Sequence, residues 1–204
     1  TTKLASEGKT VVYFAENEQV IGLVALMDVP NEEAMNAIHY FKSQNIETTM
    51  ITGDAKLTGE AVGRLVGVDQ VFANVLPEEK SAIVDQLKRE VGMTGMVGDG
   101  INDAPALVNA DIGVAMGDGT DIAIDVADVV VMKNDLSKLG YAHRVSKRLN
   151  KIVQQNIIFS MLVVATLIIL NFLGIANIAF SVLIHEGSTL VVIFNGLRLL
   201  VNTK

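Results

Sequence analysis

The chain is 204 residues long, half of them hydrophobic, with 23 acidic against 16 basic side chains and a net charge of −7. That length and apolar content suit one large domain, or a medium one with an appendage, and the acidic balance excludes nucleic acid as the main partner because neutralising phosphates needs a basic face. There is no cysteine, so any metal bound here takes oxygen or nitrogen ligands and no disulfide framework exists.

The opening TTKLASEGKT has no apolar core behind a basic start, so it does not read as a signal peptide; it reads as a chain joined midway. Runs at 10–14 and 20–26, joined by Glu16-Asn17-Glu18, predict a β-hairpin at the end of a neighbouring domain, residues 1–27. From there to residue 140, apolar runs at 20–27, 48–51, 71–73, 95–97, 112–115 and 129–132 predict strands buried on both faces. Helical patterns lie between them at 32–43 behind Pro30-Asn31, 56–65 behind Asp54, and 78–90 behind Pro77. Strand and helix alternate, which predicts an α/β domain with a mostly parallel sheet. Ligands of such sheets gather at the C-terminal ends of the strands.

The last third of the chain has a different character. From Ile152 through Ile184 there is no Asp, Glu, Lys or Arg. Residues 152–173 match the roughly 20 apolar residues that cross a bilayer, Gly174-Ile175-Ala176-Asn177 supplies a turn, and 178–201 gives a second span. Residues 141–204 therefore predict a linker and a transmembrane hairpin, since a hairpin buried in a globular core is rarely apolar on every face. Arg144, Lys147, Arg148 and Lys151 before the first span, with Arg198 and Lys204 around the end of the second, place both ends and the α/β domain on the cytoplasmic side.

Three motifs carry chemistry in the α/β part. Thr52-Gly53-Asp54 closes a strand with a hydroxyl, a flexible backbone and a carboxylate, and the helix that follows turns its positive end toward the same place. Strand ends also carry these residues merely to turn. Lys80 sits in the first turn of a helix, where a cation opposes the dipole; an anionic partner such as a phosphoryl group explains it, as does simple solvation. Asp99-Gly100-Ile101-Asn102-Asp103 is more specific: two carboxylates and an amide are crowded between glycines and a proline-started helix, which calls for a nearby cation and suits Mg²⁺.

Thr52, Lys80 and Asp99 with Asn102 and Asp103, in this order, resemble the haloacid-dehalogenase-like catalytic domain of P-type ATPases. The likeness continues through ADIGVAMGDGTDIAIDVADVVVM at 110–132 and, with the hairpin, covers nearly the whole chain. It implies a Rossmann-like domain (28–140) followed by the hairpin, in which Thr52, Gly53, Asp54 and Lys80 bind the phosphoryl group on a catalytic aspartate. Asp99 and Asp103 would hold Mg²⁺, with Asn102 completing the site; lysine, magnesium and placed donors are what phosphoryl transfer requires. ATP would be bound mainly by a nucleotide-binding domain outside these residues.

The chain departs from that pattern in two places. The DKTGT segment with the nucleophilic aspartate is absent, so the chain alone is expected to be inactive. Asp28 does not replace it, because DVPN lacks an acid or threonine two residues on, and Asp118 follows the magnesium loop, in the wrong order. In Asp28-Val29-Pro30-Asn31, Asn31 stands where the family has arginine, which removes any nucleotide contact by that arginine.

The second span carries His185-Glu186-Gly187-Ser188-Thr189. Ionisable groups in lipid demand partners, either a neighbouring helix or an ion. His185, Ser188 and Thr189 share one face, with Glu186 roughly 100° away. The segment resembles the motif in the last helix of a heavy-metal ATPase subgroup associated with cobalt export, with zinc, ferrous iron or cadmium as alternatives, and imidazole plus carboxylate suits such divalent ions. The resemblance implies an ATP-driven exporter of a divalent transition metal, multi-pass in the cell membrane, with lipid and the rest of a parent transporter as partners. A membrane-anchored phosphatase of the same superfamily and a non-enzymatic fragment regulating a full transporter are the competing readings.

Overall fold

The computed structural model describes residues 4, 9–26, 30–132 and 135–200. The chain divides into two units, residues 1–140 and 141–204.

In the first unit, β1 (Thr10–Glu16) and β2 (Gln19–Leu26) form an antiparallel ribbon in which Tyr13 faces Leu23. Asn17 and Glu18 turn it with φ of 47° and 65°, the double positive φ of a tight hairpin. The expectation that 20–27 is buried on both faces is overturned. Val20, Ile21 and Leu23 are exposed, because a two-stranded ribbon has no layer to pack on among the described residues. Met27, Asp28 and Val29 lie outside the described residues, so the reading of Asp28 finds no structural answer.

The α/β part follows. Helix α1 (Glu32–Ser43) starts at Asn31, whose Oδ1 accepts from the Ala34 amide at 2.7 Å, with Glu32 and Glu33 in the first turn favoured by the helix dipole. Strand β3 (Thr49–Ile51), helix α2 (Lys56–Val66) and strand β4 (Gln70–Phe72) make a parallel βαβ unit. A 3₁₀ turn at Pro77–Glu79 leads into α3 (Lys80–Val91), so the helix expected at 78–90 becomes α-helical at Lys80 itself. Then come β5 (Gly95–Gly98), a 3₁₀ turn (Ile101–Asp103), α4 (Ala104–Asn109), β6 (Ile112–Met116), α5 (Asp121–Val126) and β7 (Val129–Val131).

Strand β6 lies between β5 and β7, parallel to both. It is the strand that meets the two-faced burial expected, and its alternating residues serve two clusters. Ala115 packs with Leu107 and Ala123, while Val114 and Met116 pack with Val131, Leu136 and Leu139. Two of the three residues of β7, by contrast, are exposed, as befits an edge strand.

The starts of the strands are pinned by a repeated clasp. Asp69 accepts from the Thr48 amide at 2.9 Å and pairs with Lys42 at 2.7 Å, and Lys42 also donates to the Gly67 carbonyl. Asp111 repeats this with the Thr94 amide (2.8 Å) and Lys88 (3.2 Å), and Lys88 also donates to the Asn109 carbonyl. Each clasp ties a helix end to two strand starts and leaves the opposite, C-terminal strand ends to the loops that carry the motifs.

In the second unit, the first apolar helix is longer than expected. Helix α6 runs unbroken over Ser137–Phe172, so the basic residues at 144–151 belong to the same helix as the apolar span. Gly174, with φ of 66°, turns the chain, and Asn177 caps α7 (Ile178–Leu197) by accepting from the Phe180 amide. The second helix therefore ends before residue 201, which with Lys204 lies outside the described residues. Both helices are long and apolar enough to cross a membrane. Leu162 and Leu183 are 62% and 72% exposed, which sets aside a core hairpin. Asn195 joins the helices through its amide, which donates to Asn156 Oδ1 at 2.8 Å, and Arg148 donates to the Arg198 carbonyl.

Candidate phosphoryl-transfer and cation sites

The loops at the C-terminal strand ends are held by two sets of hydrogen bonds, one around Thr52 and one around Asp103. Thr52 leaves β3 with its amide bonded to the Phe72 carbonyl, and its own carbonyl accepts from Val75. The Asp54 carbonyl accepts from Asn74, which takes a left-handed φ of 55° that asparagine tolerates. Thr52-Gly53-Asp54 is thereby tied to the segment leading to Lys80. Within the motif, the Thr52 hydroxyl donates to Asp54 Oδ2 at 2.8 Å, and the Asp54 amide donates back to Thr52 Oγ1 at 3.1 Å. Helix α2 begins just beyond, with no side-chain cap and no acid in its first turn, so no carboxylate competes for its first amides.

Lys80 Nζ lies 2.7 Å from Asp103 Oδ1, in a pair whose side chains are only 19% and 10% exposed. The other Asp103 oxygen accepts from the amides of Asp99 (3.3 Å) and Gly100 (3.2 Å). The lysine that lacked an anion and the aspartate that lacked a cation are thus partners. Sequence reasoning stated both needs without joining them. Both oxygens of Asp103 are thus engaged, one by Lys80 and the other by the loop of Asp99.

The space for this carboxylate exists because residue 98 is glycine. A Cβ there would stand 2.6 Å from Asp103 Cβ and 2.9 Å from its Cγ. Sequence reasoning missed Gly98 as a site residue, and its signal was the small residue immediately before Asp99.

Asp99 and Asn102 are both exposed, and neither side chain has a hydrogen-bond or ion-pair partner among the described residues. No group of three or more His, Cys, Asp or Glu capable of holding a metal occurs among the described residues. This donor set fits magnesium, which is commonly held by one or two carboxylates together with water and substrate phosphate. It does not fit an all-protein cage. Thr120, in the 110–132 segment, donates its amide to the Asp99 carbonyl at 2.9 Å, and sequence reasoning gave it no role.

His185, Glu186, Ser188 and Thr189 all lie on α7 in the second unit. The helix runs through them without a break. The hydroxyls of Ser188 and Thr189 both donate to the His185 carbonyl, at 2.6 and 3.3 Å. His185 and Glu186 are exposed. One helix thus presents an imidazole, a carboxylate and two hydroxyl oxygens, a set suited to a borderline divalent cation.

Known proteins agree with this organisation. Residues 1–111 match the family model of the haloacid dehalogenase-like hydrolases. The zinc-transporting ATPase of Bacillus subtilis (strain 168) is 47% identical over 193 residues, covering 95% of this chain and 30% of its own length. A probable cadmium-transporting ATPase of Listeria monocytogenes is 39% identical, covering 97% of this chain and 28% of its own length. Among solved structures, a zinc-transporting PIB-type ATPase in its E2·Pi state superposes with a TM-score of 0.88 at 34% identity, covering 97% of this chain and 32% of that one. The chain thus spans about a third of the length of the relatives it matches.

Proposed function

The chain belongs to the haloacid dehalogenase-like hydrolase family and its homologues are heavy-metal P-type ATPases; from that premise we propose that it forms the phosphoryl-transfer and last membrane-helix part of an ATP-driven exporter of a divalent transition metal. The observation that carries the reading is the pairing of Lys80 with Asp103, which also holds the amide of Asp99, in a protein that also presents His185 and Glu186 on an apolar helix.

In this reading residues 1–27 end a nucleotide-binding domain, residues 28–140 form the phosphorylation domain without its nucleophile segment, and the aspartate that accepts the phosphoryl group lies outside these 204 residues. The Thr52 hydroxyl turns from Asp54 to the incoming phosphoryl oxygen, and Asp54 keeps hold of it through the return bond from its own amide. Lys80 supplies positive charge where oxygen charge grows, and Asp103 keeps its ammonium aimed. Asp99 and Asn102 are the residues that would hold Mg²⁺, which when bound neutralises developing charge on the transferred group. Glu186 and His185 bind the cargo within the membrane, Ser188 and Thr189 adding hydroxyl oxygens. Co²⁺, Zn²⁺, Fe²⁺ and Cd²⁺ are the candidates, and two of the relatives are named for zinc and cadmium. The α/β domain and both chain termini face the cytoplasmic side of the cell membrane.

The full-length protein, given labelled ATP and Mg²⁺, is expected to form an acid-stable, hydroxylamine-sensitive acyl phosphate. Lys80→Ala should slow its formation by about 10²-fold or more. A protein that forms no such species, under any metal, sinks the reading.

A further inference from the structure

Asp99 is held by its backbone alone, since its side chain is exposed and finds no partner among the described residues. One tether is already described: its amide donates to Asp103 Oδ2. The other comes from the loop Gly117-Asp118-Gly119-Thr120, within the 110–132 segment but given no role in the sequence reading. That loop is pinned by three amides: Gly117 to the Val131 carbonyl at 2.7 Å, Gly119 to the Met116 carbonyl at 2.8 Å, and Thr120 to the Asp99 carbonyl at 2.9 Å. Asp99 is therefore anchored to the ends of β6 and β7 as well as to Lys80.

The contact is as close as backbone allows. A Cβ on Gly119 would fall 2.5 Å from Asp99 O, 3.1 Å from Asp99 Cα and 2.8 Å from Met116 O. All three atoms are backbone, so a side chain at 119 cannot be relieved by a rotamer change; either the strand end or Asp99 must move. Beyond the loop, Thr120 Oγ1 accepts from the Ala123 amide at 3.4 Å to start α5, and Ala123 is fully buried against Leu107 and Ala115. The latch is thus seated on the core.

We infer that Gly119 and Thr120 are positioning residues that set the place of the Asp99 carboxylate, and so the affinity of the phosphoryl-transfer site for its divalent cation. The inference rests on the reading of Asp99 as a magnesium ligand. Residues one step behind a metal ligand commonly change metal affinity by about 10–100-fold when altered. The chemistry of this latch lies in one amide hydrogen, which separates it from an ordinary structural role of the threonine side chain.

The two can be told apart because Thr120 has φ of −70°, a value proline accepts. Thr120→Ala removes the hydroxyl that caps α5 and keeps the amide, whereas Thr120→Pro removes both. Binding of Mn²⁺ alone to the full-length protein, followed by electron paramagnetic resonance, gives a readout independent of turnover. Thr120→Ala is expected to hold Mn²⁺ affinity within threefold of wild type while lowering the melting temperature by about 2–4 °C. Thr120→Pro and Gly119→Ala are each expected to weaken Mn²⁺ by about 10–100-fold, and Asp99→Asn to abolish binding at this site. If Asp99→Asn abolishes binding while Thr120→Pro and Gly119→Ala match Thr120→Ala, the latch is refuted and the ligand assignment stands. If Asp99→Asn binds Mn²⁺ like wild type, the assignment fails and the latch falls with it.

Discussion

Replacing Asp103 by Asn is the sharpest perturbation of the site, because it removes a charge and keeps the shape. At 2.7 Å and an effective dielectric near 20, the attraction to Lys80 is about 6 kcal/mol gross. Much of that offsets the desolvation of two groups that are four-fifths or more buried. What remains when one partner is lost is the cost of an uncompensated buried charge, about 3–5 kcal/mol. An asparagine oxygen can still accept from the amides of Asp99 and Gly100, but its amide then faces the Lys80 ammonium, donor against donor. The expected net loss is about 3 kcal/mol at the loop, or about 150-fold faster hydrogen exchange at the amides of 99 and 100. Lys80→Met combined with Asp103→Leu should recover most of that loss in overall stability, as apolar replacements of buried pairs do. Exchange in Asp103→Asn within threefold of wild type would refute the claim that the pair locks this loop.

The remaining predictions concern the clasp, the glycine and the helix hairpin. Lys42 first, then the amide and hydroxyl of Thr48, hold the Asp69 carboxyl down from the usual 3.8 to about 2. Its stabilisation is therefore complete above pH 4 and lost as pH falls toward 2, and Asp69→Asn should flatten the fall in melting temperature between pH 4 and 2. The Asp111 carboxyl is lowered in the same sense, chiefly by the Thr94 amide and then by Lys88, so the double variant should flatten it further. Gly98→Ala puts a methyl 2.6 Å from Asp103 Cβ and should cost about 1–3 kcal/mol in thermal denaturation while slowing phosphoenzyme formation. Asn195→Leu removes the bond to Asn156 and should shift detergent unfolding of the hairpin by about 1 kcal/mol.

Much of the fold was legible because local chemistry and burial agree. Asn31 followed by two glutamates fixed the start of α1 at the expected residue, and the alternation of apolar runs with capped helices gave the parallel order. The limits came where one segment's state depends on another. Val20–Leu26 reads as buried by composition alone, yet a lone ribbon offers it no layer. The extension of α6 back to Ser137 was hidden because basic residues mark a membrane boundary without ending a helix. At the site, Thr52, Lys80, Asp99 and Asp103 were singled out in sequence, and Lys80 and the amide of Asp99 meet at Asp103. The pairing of Lys80 with Asp103 was not, since 23 residues separate them. The contact of Thr120 with Asp99 was still less visible, because a bond between two backbone groups leaves no mark on residue identity.

The most direct test is ATP hydrolysis by the full-length protein in membranes, with Co²⁺, Zn²⁺, Fe²⁺ and Cd²⁺ offered singly to wild type and to Glu186→Ala. Coupling of the phosphoryl-transfer loops to a cation site on α7 predicts stimulation by one or more of these ions that disappears in the variant while the protein remains folded in the membrane. Hydrolysis indifferent to every metal and to Glu186 would contradict it, leaving the α/β domain with its phosphoryl chemistry but α7 without a cargo.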